Sequence, residues 1–216
     1  MSDTLKALLA LYFGQDHAAV HFATPLIGSS GGIGEFVLAK VNLYGKALPR
    51  SEEIANDLFR QSADQGYFRG FLELGFLKMQ FGVSAAVPTI EEERWNSAGW
   101  LFAQSYSIAS ELHRKAHSAD AADFLGWWHC EFAYIAQKIG LPGNRSDGLE
   151  LLTEAFNAGF ESTASYLART TYSISDESVS NQWLERFVAA QQSFITSLLS
   201  SALQSTLDGC PHNPRL

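Results

Sequence analysis

The chain is poor in the residues that mark several classes of protein. Its 216 residues contain only two cysteines, Cys130 and Cys210. Two cysteines are too few for a disulfide framework, which favours a reduced, cytoplasmic setting. No run of about 18 apolar residues occurs, so the sequence predicts no membrane-spanning helix. The short apolar run from Leu8 to Phe13 follows a single lysine and an acidic residue, and it predicts a first helix rather than a signal peptide.

Basic residues are also scarce. The 15 lysines and arginines face 23 aspartates and glutamates, which gives a formal net charge of −8. Nucleic-acid binding needs clustered basic side chains that contact phosphates, and the densest basic pair here is Arg114-Lys115. We therefore expect no nucleic acid as a ligand, and an acidic surface that suits a basic protein partner.

What the sequence does contain is an internal repeat. The pattern of Gly34, Leu38 and Ala39 recurs 36 positions later as Gly70, Leu74 and Gly75. Self-similarity at a fixed period of this length is typical of repeat architectures. In such folds function usually lies on a surface rather than in a catalytic pocket.

Each repeat unit is predicted to contain two helices, here called A and B. A helices open with a small residue followed four positions later by leucine, which keeps one apolar stripe at helical spacing and lets a neighbouring helix approach closely. Further A helices are predicted to open at Ala121 and Thr163. Ala55 and Ser62 share one face of a B helix that Gly66 ends. Further B helices are predicted over 19–26, 109–116 and 148–159.

Two insertions and a tail interrupt this pattern. The irregular insertions are predicted at about 83–103 and 137–147, and a Thr89-x-x-Glu92 capping box predicts a separate helix inside the first of them. Beyond Tyr172 the pattern fades. One helix is predicted to begin at 175–177 and another to cover 191–207, and together they would form the polar-backed cap that a repeat array needs at its end.

The pattern resembles the Sel1-like repeats, relatives of the tetratricopeptide family. The clearest matches are GEFVLAKVNLYGKALPRSEEIANDLFRQSADQG with the YFRGFLELG that follows it, and GLELLTEAFNAGFESTASYLA. Ala39 and Ala168 replace the usual glycine, and Lys78 stands where the family prefers tyrosine. The resemblance covers residues 15–172. It implies one all-α domain over 1–216, a right-handed superhelix (solenoid) of about four to five Sel1-like helix pairs with a C-terminal capping helix at 175–207.

The resemblance also implies a class of function. Sel1-like repeat proteins are generally interaction scaffolds and not enzymes, and the family has no shared catalytic residue. Small bacterial proteins of this make-up occur as immunity proteins that neutralise a toxin and as adaptors or chaperones for secreted proteins. We therefore expect a cytoplasmic, non-catalytic monomer or homodimer that binds a dedicated protein partner and needs no cofactor or metal.

By analogy with tetratricopeptide packing, the third, seventh and tenth positions of each A helix should line the groove that binds the partner. These positions hold Phe36, Lys40 and Leu43, then Leu72, Phe76 and Met79, then Asp123, Trp127 and Cys130, and lastly Ser165, Arg169 and Tyr172. The predicted partner-binding residues among them are Phe36, Lys40, Leu72, Phe76, Met79, Asp123, Trp127, Arg169 and Tyr172. The alternative for the aromatic residues is a place in the core between repeats.

Tryptophans give two further expectations. Side chains of the adjacent pair Trp127–Trp128 point about 100° apart on a helix, so one should lie in the core and the other in the groove. The first insertion places Glu91, Glu92, Trp95 and Trp100 close together in sequence, which predicts a second partner-binding surface. The alternative is a solvated helix start, where acidic residues suit the helix dipole.

Histidines carry the alternative function. His113 and His117 are four residues apart, so a helix could place both imidazoles around one metal ion. The zinc-protease pattern is absent because Arg114, not glutamate, follows the first histidine. The alternative is a small metal-binding or hydrolytic enzyme that uses His113, His117 and His129. A second alternative is a structural subunit that forms homo-oligomers through its C-terminal helix.

Overall fold

The described part of the chain is built from helices. The computed structural model describes the backbone of residues 1–80, 88–172 and 177–208, and the side chains of 1–79, 98–172 and 177–201. These residues contain no strand, which confirms the all-α class. The helices are α1 Asp3–Tyr12, α2 Asp16–Ala23, α3 Ile33–Tyr44, α4 Glu52–Asp64, α5 Phe68–Gln80, α6 Pro88–Ala116, α7 Ala119–Glu131, α8 Ala133–Lys138, α9 Arg145–Asn157, α10 Ala164–Tyr172 and α11 Glu177–Asp208. Short 3-10 turns occupy Thr24–Leu26 and Glu161–Thr163.

The chain divides into two compact units, Met1–Thr163 and Ala164–Leu216. The first contains α1 to α9 and the second contains α10 and α11. The single repeat domain predicted over 1–216 therefore stays a prediction. None of the described helices is both long enough and apolar enough to cross a membrane.

Helices of the first unit pair in an antiparallel manner, as α3 and α4 illustrate. The Ser51 N–H, just before α4, donates to the Asn42 carbonyl near the end of α3 at 3.1 Å. At the other end of the pair, the Ser62 hydroxyl donates to the Gly32 carbonyl just before α3 at 2.7 Å. The start of one helix therefore meets the end of the other, which is the arrangement that a short connection between neighbouring helices favours.

The predicted A and B helices correspond to elements of the structure. The predicted A helices are α3, α5, α7 and α10, and the predicted B helices are α2, α4, the second half of α6, and α9. Ser51 and Ser118 cap α4 and α7, since each side-chain oxygen accepts a hydrogen bond from the backbone N–H three residues later. Gly66 has a φ of +87°, a left-handed conformation that glycine adopts without strain, just after α4 ends.

Small residues allow close packing between neighbouring helices, as the repeat pattern predicted. A Cβ atom added at Gly126 of α7 would lie 2.6 Å from Cγ of Leu152 and 2.9 Å from the carbonyl oxygen of Gly148 on α9. At Gly70 of α5, a Cβ atom would lie 2.7 Å from the backbone nitrogen of Ala63 on α4. Any side chain at these positions would push the helices apart.

Two helices begin close to their predicted starts, α6 at Pro88 and α11 at Glu177, but the prediction that each is separate from the helix that follows is wrong. Residues 88–103 of the predicted irregular insertion form the first half of α6, which runs unbroken for 29 residues into the predicted B helix. The two C-terminal helices predicted at 175–177 and 191–207 are one helix, α11, of 32 residues. In α11 no glycine or proline lies between the predicted segments, and in α6 a single glycine, Gly99, does not end the helix. The capping-box side chains of Thr89 and Glu92 lie outside the described side chains.

The second unit pairs α10 with α11. The Ser180 hydroxyl, buried near the start of α11, donates to the Ala168 carbonyl of α10 at 2.8 Å. Beyond that contact, Leu184, Val188 and Leu199 of α11 are exposed. They lie within about 60° of one another around the helix, so α11 carries an exposed apolar stripe.

Candidate functional site

The third position of the predicted groove stripe is buried in the three A helices of the first unit. Phe36, Leu72 and Asp123 are 2%, 6% and 1% exposed. The partner-binding role predicted for these residues needs solvent access that their side chains lack, so this part of the prediction is corrected. Phe36 instead packs against Phe59 and Tyr67, with ring centroids 6.1 and 5.3 Å apart.

Asp123 is buried because it belongs to an ionic network between α5 and α7. It accepts hydrogen bonds from the Arg69 guanidinium and from the Thr163 hydroxyl, each at 2.7 Å. Arg69 also donates to the Asp120 carboxylate at 2.8 Å, and the Tyr67 hydroxyl donates to the other oxygen of Asp120 at 2.7 Å. Burial raises the pKa of Tyr67 well above its ordinary value, so the hydroxyl remains a donor.

The first helix reaches the same network. Tyr12, the last residue of α1, has its ring 5.4 Å from the Arg69 guanidinium and 5.8 Å from the Phe160 ring. A cavity of about 480 Å³ lies beside this ionic network. It is lined by the first residues of α1 and by residues at or just before the starts of α3, α5 and α7. Leu5, Leu8 and Asp120 are among its lining residues. The N-terminal ends of the A helices are thus covered in part by the chain itself.

The seventh and tenth positions of the same three helices are only half-buried. They are occupied by Lys40, Leu43, Phe76, Met79, Trp127 and Cys130. The stripe predicted from the sequence is therefore closed at the start of each helix and open towards its end. We name the open part the A-helix surface and define it as Lys40, Leu43, Phe76, Met79 and Trp127 together with the neighbouring Tyr44 and Glu73.

An ion pair joins two A helices within this surface. The Lys40 ammonium on α3 lies 2.8 Å from the Glu73 carboxylate on α5, and it stands 5.3 Å from the ring centroid of the exposed Tyr44. Burial of Lys40 lowers its pKa, but Glu73 and Tyr44 outweigh that effect and raise the pKa above the ordinary lysine value. Sequence reasoning selected Lys40 and missed Glu73. A signal was available, because Glu73 lies one helical turn before Phe76, the residue that matches Lys40 at the 36-residue period.

Aromatic contacts join the next two A helices. Phe132, just after α7, packs edge-to-face with Phe76 of α5 at a centroid distance of 5.7 Å. Its ring also stacks on Trp127 at 5.5 Å with an angle of 29° between the planes. Phe132 holds both predicted binding residues in place, and no pattern in the sequence marks it for this role.

The two adjacent tryptophans separate as predicted. Trp128 is fully buried and its indole N–H donates to the Pro142 carbonyl at 3.0 Å. Trp127 is half-buried and stacks on the buried Phe132, so only one of the two tryptophans is a full core residue, and the place of Trp127 in a groove stays a prediction.

The other predicted binding residues fall into two groups. In the second unit, Arg169 is exposed with its guanidinium 5.4 Å from the Tyr166 ring, and Tyr172 is exposed at the end of α10. In the first insertion, Trp100 is 59% exposed and its ring meets Phe71 edge-to-face at 6.4 Å. The side chains of Glu91, Glu92 and Trp95 lie outside the described residues.

The histidines do not form the predicted group of three. His129 is buried, and its Nδ1 accepts a hydrogen bond from the Asn144 backbone N–H at 2.9 Å. Its Nε2 lies 3.3 Å from the Tyr106 hydroxyl, so both ring nitrogens have partners. His113 and His117 instead meet Glu154, which sequence reasoning missed. The grouping of His129 with His113 and His117 is therefore wrong.

Comparisons with known proteins place the chain beside repeat proteins. A protective antigen present in uropathogenic Escherichia coli strains, which displays an SLR fold, aligns over 91% of this chain at 18% identity with a TM-score of 0.40. A Sel1 repeat protein from Oxalobacter formigenes aligns over 86% of both chains at 12% identity with a TM-score of 0.34. The chain is similar to Sel1 repeat proteins, as its sequence predicts. It spans 41% of the length of the antigen. No protein-family model matches the sequence, and no curated protein matches it.

Proposed function

We propose that this chain is a non-catalytic scaffold that binds a protein partner through the A-helix surface. The observation that carries the proposal is the split of the predicted stripe. In each of α3, α5 and α7 the third position is buried, whereas the seventh and tenth positions stay partly open. Three helices thus leave side chains of the same repeat positions partly open to solvent, which supports a shared binding surface.

The chemistry of the A-helix surface suits a protein partner. Phe76, Met79 and Trp127 supply aromatic and sulfur-containing side chains, which are enriched at protein interfaces. Trp127 and Phe76 are anchored on Phe132, so little side-chain freedom is lost when a partner covers them. The Lys40–Glu73 ion pair adds a polar element at the edge, which can fix the orientation of a partner.

Charge indicates what kind of partner would bind. A net charge of −8 favours a basic protein over nucleic acid, and it predicts association that weakens as salt is added. Within this proposal the protein acts in the cytoplasm on one dedicated partner. We favour an immunity protein that neutralises a toxin, or an adaptor or chaperone for a secreted protein.

The proposal is tested by partner capture followed by affinity measurements on the purified complex. The partner is identified by mass spectrometry after capture on the full chain, and its affinity is measured by calorimetry. Trp127→Ala and Phe76→Ala are expected to weaken binding by about tenfold or more, since truncation of a central aromatic residue costs roughly 2 kcal/mol. Ile54→Ala serves as the matched control, because Ile54 is an exposed apolar residue on the B helix α4.

A second variant separates the two predicted surfaces. Trp100→Ala removes the exposed tryptophan of α6 and leaves the A-helix surface intact. Loss of binding in Trp100→Ala with unchanged binding in Trp127→Ala would move the site to the insertion. A partner whose affinity is the same for all these variants would contradict the proposed surface.

The two finer roles give different results with the purified partner. An immunity protein abolishes the toxic activity of its partner, and Trp127→Ala restores that activity. An adaptor or chaperone instead keeps its partner soluble without changing any activity of the folded partner. Toxic activity that is restored by Trp127→Ala supports the immunity role. A partner kept soluble with unchanged activity supports the adaptor or chaperone role.

The exposed stripe on α11 favours homo-oligomerisation as a second candidate function. Leu184, Val188 and Leu199 lie on one face of a 32-residue helix, a pattern that often pairs with another helix. Light scattering of the full chain would show a dimer, and Leu184→Glu with Val188→Glu would return it to a monomer. A monomeric wild-type chain at high concentration would exclude this candidate.

A further inference from the structure

Three side chains that could bind a metal ion meet where α6 ends beside α9. His113 lies on the last turn of α6, His117 follows that helix, and Glu154 lies on α9. Each offers one ligand atom, and the three atoms all lie within 4.8 Å of one another. The residues come from two different helix pairs, so only the fold brings them together.

The nitrogen–oxygen distances between the histidines and Glu154 fit ligands of a shared metal ion better than direct hydrogen bonds. Nε2 of His113 lies 3.6 Å from one oxygen of Glu154, and Nδ1 of His117 lies 3.7 Å from the other. Both distances exceed the usual range of a nitrogen–oxygen hydrogen bond, about 2.7–3.2 Å. Ligands at about 2.0–2.1 Å from a tetrahedral zinc ion lie roughly 3.3–3.4 Å apart. A small inward movement of the side chains therefore forms three corners of a tetrahedron.

The imidazole of His113 lacks a hydrogen-bond partner among the described residues. Its Nδ1 atom is buried without a hydrogen-bond partner among the described residues. Its other nitrogen faces Glu154 at a distance too long for a hydrogen bond. A part-buried imidazole normally has a partner on at least one nitrogen, and a metal ion bound at Nε2 would provide it, with Nδ1 left as the protonated nitrogen.

His117 adopts a backbone conformation that points to a use for its side chain. Its φ is +46°, and it is the only residue other than glycine with a positive φ in the described part of the chain. It ends α6 in the left-handed conformation, a place that glycine usually occupies. A histidine there carries backbone strain of about 1 kcal/mol or more that glycine would not. The turn brings its ring to 5.8 Å from the ring of His113, between centroids.

We propose that His113, His117 and Glu154 form a binding site for a divalent cation of the zinc type. Two imidazoles and a carboxylate are a donor set that zinc prefers over magnesium or calcium. His117 is largely exposed and Glu154 is partly exposed, so an ion enters from solvent and keeps a fourth position open to water. The ion would link α6 to α9 and hold two successive helix pairs together. This proposal is independent of the A-helix surface.

The test is a direct titration of the metal-free full chain with Zn²⁺. One ion per chain is expected by calorimetry, and Co²⁺ should give the visible absorption of a four-coordinate site. Glu154→Gln and His113→Gln are expected to weaken Zn²⁺ binding by more than about tenfold, since removal of even an outer-shell partner costs about 10- to 100-fold. Cys210→Ser is the control for zinc donors elsewhere in the sequence, and it should bind Zn²⁺ like the wild type.

His117→Gly separates a metal ligand from a structural residue. Glycine relieves the left-handed backbone, so the metal-free variant should unfold at the same temperature as the wild type or higher. Zn²⁺ should raise the unfolding temperature of the wild type and leave that of His117→Gly unchanged. The variant therefore loses the metal effect without losing the fold.

Three results would overturn the proposal. The first is the absence of stoichiometric Zn²⁺ binding to the wild type. The second is a Zn²⁺ affinity in His117→Gly and Glu154→Gln that matches the wild type. The third is binding that is lost in Cys210→Ser, which would place the ion outside this cluster.

Discussion

Arg69 and Asp123 form a buried ion pair between α5 and α7 with a nitrogen–oxygen distance of 2.7 Å. Burial opposes the charge on Arg69, but Asp120, Tyr12 and Asp123 outweigh it and raise the pKa of the guanidinium well above its ordinary value. Arg69 therefore stays charged in the folded protein and serves both carboxylates. The ion pair holds α5 against α7 near the starts of these helices, where the third position of the predicted groove stripe is buried.

Arg69→Met should strongly destabilise the protein. The substitution leaves Asp120 and Asp123 without their cation, and breaking a buried pair in this way costs about 3–5 kcal/mol of unfolding free energy. Urea denaturation monitored by circular dichroism measures the change. Arg69→Met combined with Asp120→Asn and Asp123→Asn should lose less stability than Arg69→Met alone.

An exposed pair provides the control for Arg69. Arg114 bonds to Glu111 on the surface of α6, so Arg114→Met should leave the urea midpoint close to that of the wild type. Equal effects of Arg69→Met and Arg114→Met would show that the network contributes no more than a surface pair.

Gly126→Ala should destabilise the protein, whereas Gly99→Ala should stabilise it. A methyl group at Gly126 meets Leu152 at 2.6 Å, so the α7–α9 contact must open at a cost of about 1–3 kcal/mol. At Gly99 of α6 the nearest atom of another helix or loop among the described residues is 3.5 Å from an added Cβ, and alanine gains up to about 1 kcal/mol of helix propensity. Thermal unfolding of the two variants gives the sign directly. A destabilised Gly99→Ala would contradict the close-packing explanation.

His129 should make the protein less stable in mild acid. Burial lowers the pKa of His129 below its ordinary value of 6.5, and Asn144 donates to its Nδ1. The unfolded chain therefore binds more protons than the folded protein in this range, so the free energy of unfolding falls as the pH drops below about 6.5. Denaturation curves between pH 7.5 and pH 5, both approximate limits around this value, measure the fall.

Two variants assign this pH dependence to His129. His129→Asn offers an amide oxygen in place of Nδ1, so it should flatten the dependence over the same range. Tyr106→Phe removes the hydroxyl near Nε2 but keeps the bond from Asn144, and it should retain the dependence. An unchanged slope in His129→Asn would assign the effect to another group.

The neighbouring tryptophans should respond very differently to truncation. Trp128→Ala leaves a large cavity in the core and an unpaired Pro142 carbonyl, which should cost about 3–5 kcal/mol. Trp127→Ala removes a half-buried ring and should cost less than about 2 kcal/mol. Chemical denaturation of both variants measures the difference. Similar losses would mean that Trp127 is a core residue and not part of the A-helix surface.

Much of the fold is predictable because repeat units are defined locally. Gly34, Gly70 and Ala121 mark A helices through the spacing of small and apolar residues, and the serine caps and Gly66 mark helix ends. The separate helices predicted inside α6 and α11 were wrong for the same local reason. The periodic pattern weakened there, yet no residue interrupted the backbone.

The sites were predicted less completely because their contacts are long-range. Lys40, Phe76 and Trp127 follow from repeat positions, but Phe36, Leu72 and Asp123 share those positions and are buried. Helical period alone gives the direction of a side chain and says nothing about what covers it. Glu154 approaches His113 and His117 across two helix pairs, a contact that arises only because α6 and α9 both pack on α7.

The sequence by itself determined the all-α class, the paired helices and the acidic character of the chain, because periodicity, capping and charge are properties of the sequence. Tertiary structure decided which half of the stripe stays open and which histidines meet a carboxylate. It did so because burial and side-chain contacts depend on neighbouring helices, as the buried Asp123 in the core and the strained His117 beside Glu154 both illustrate.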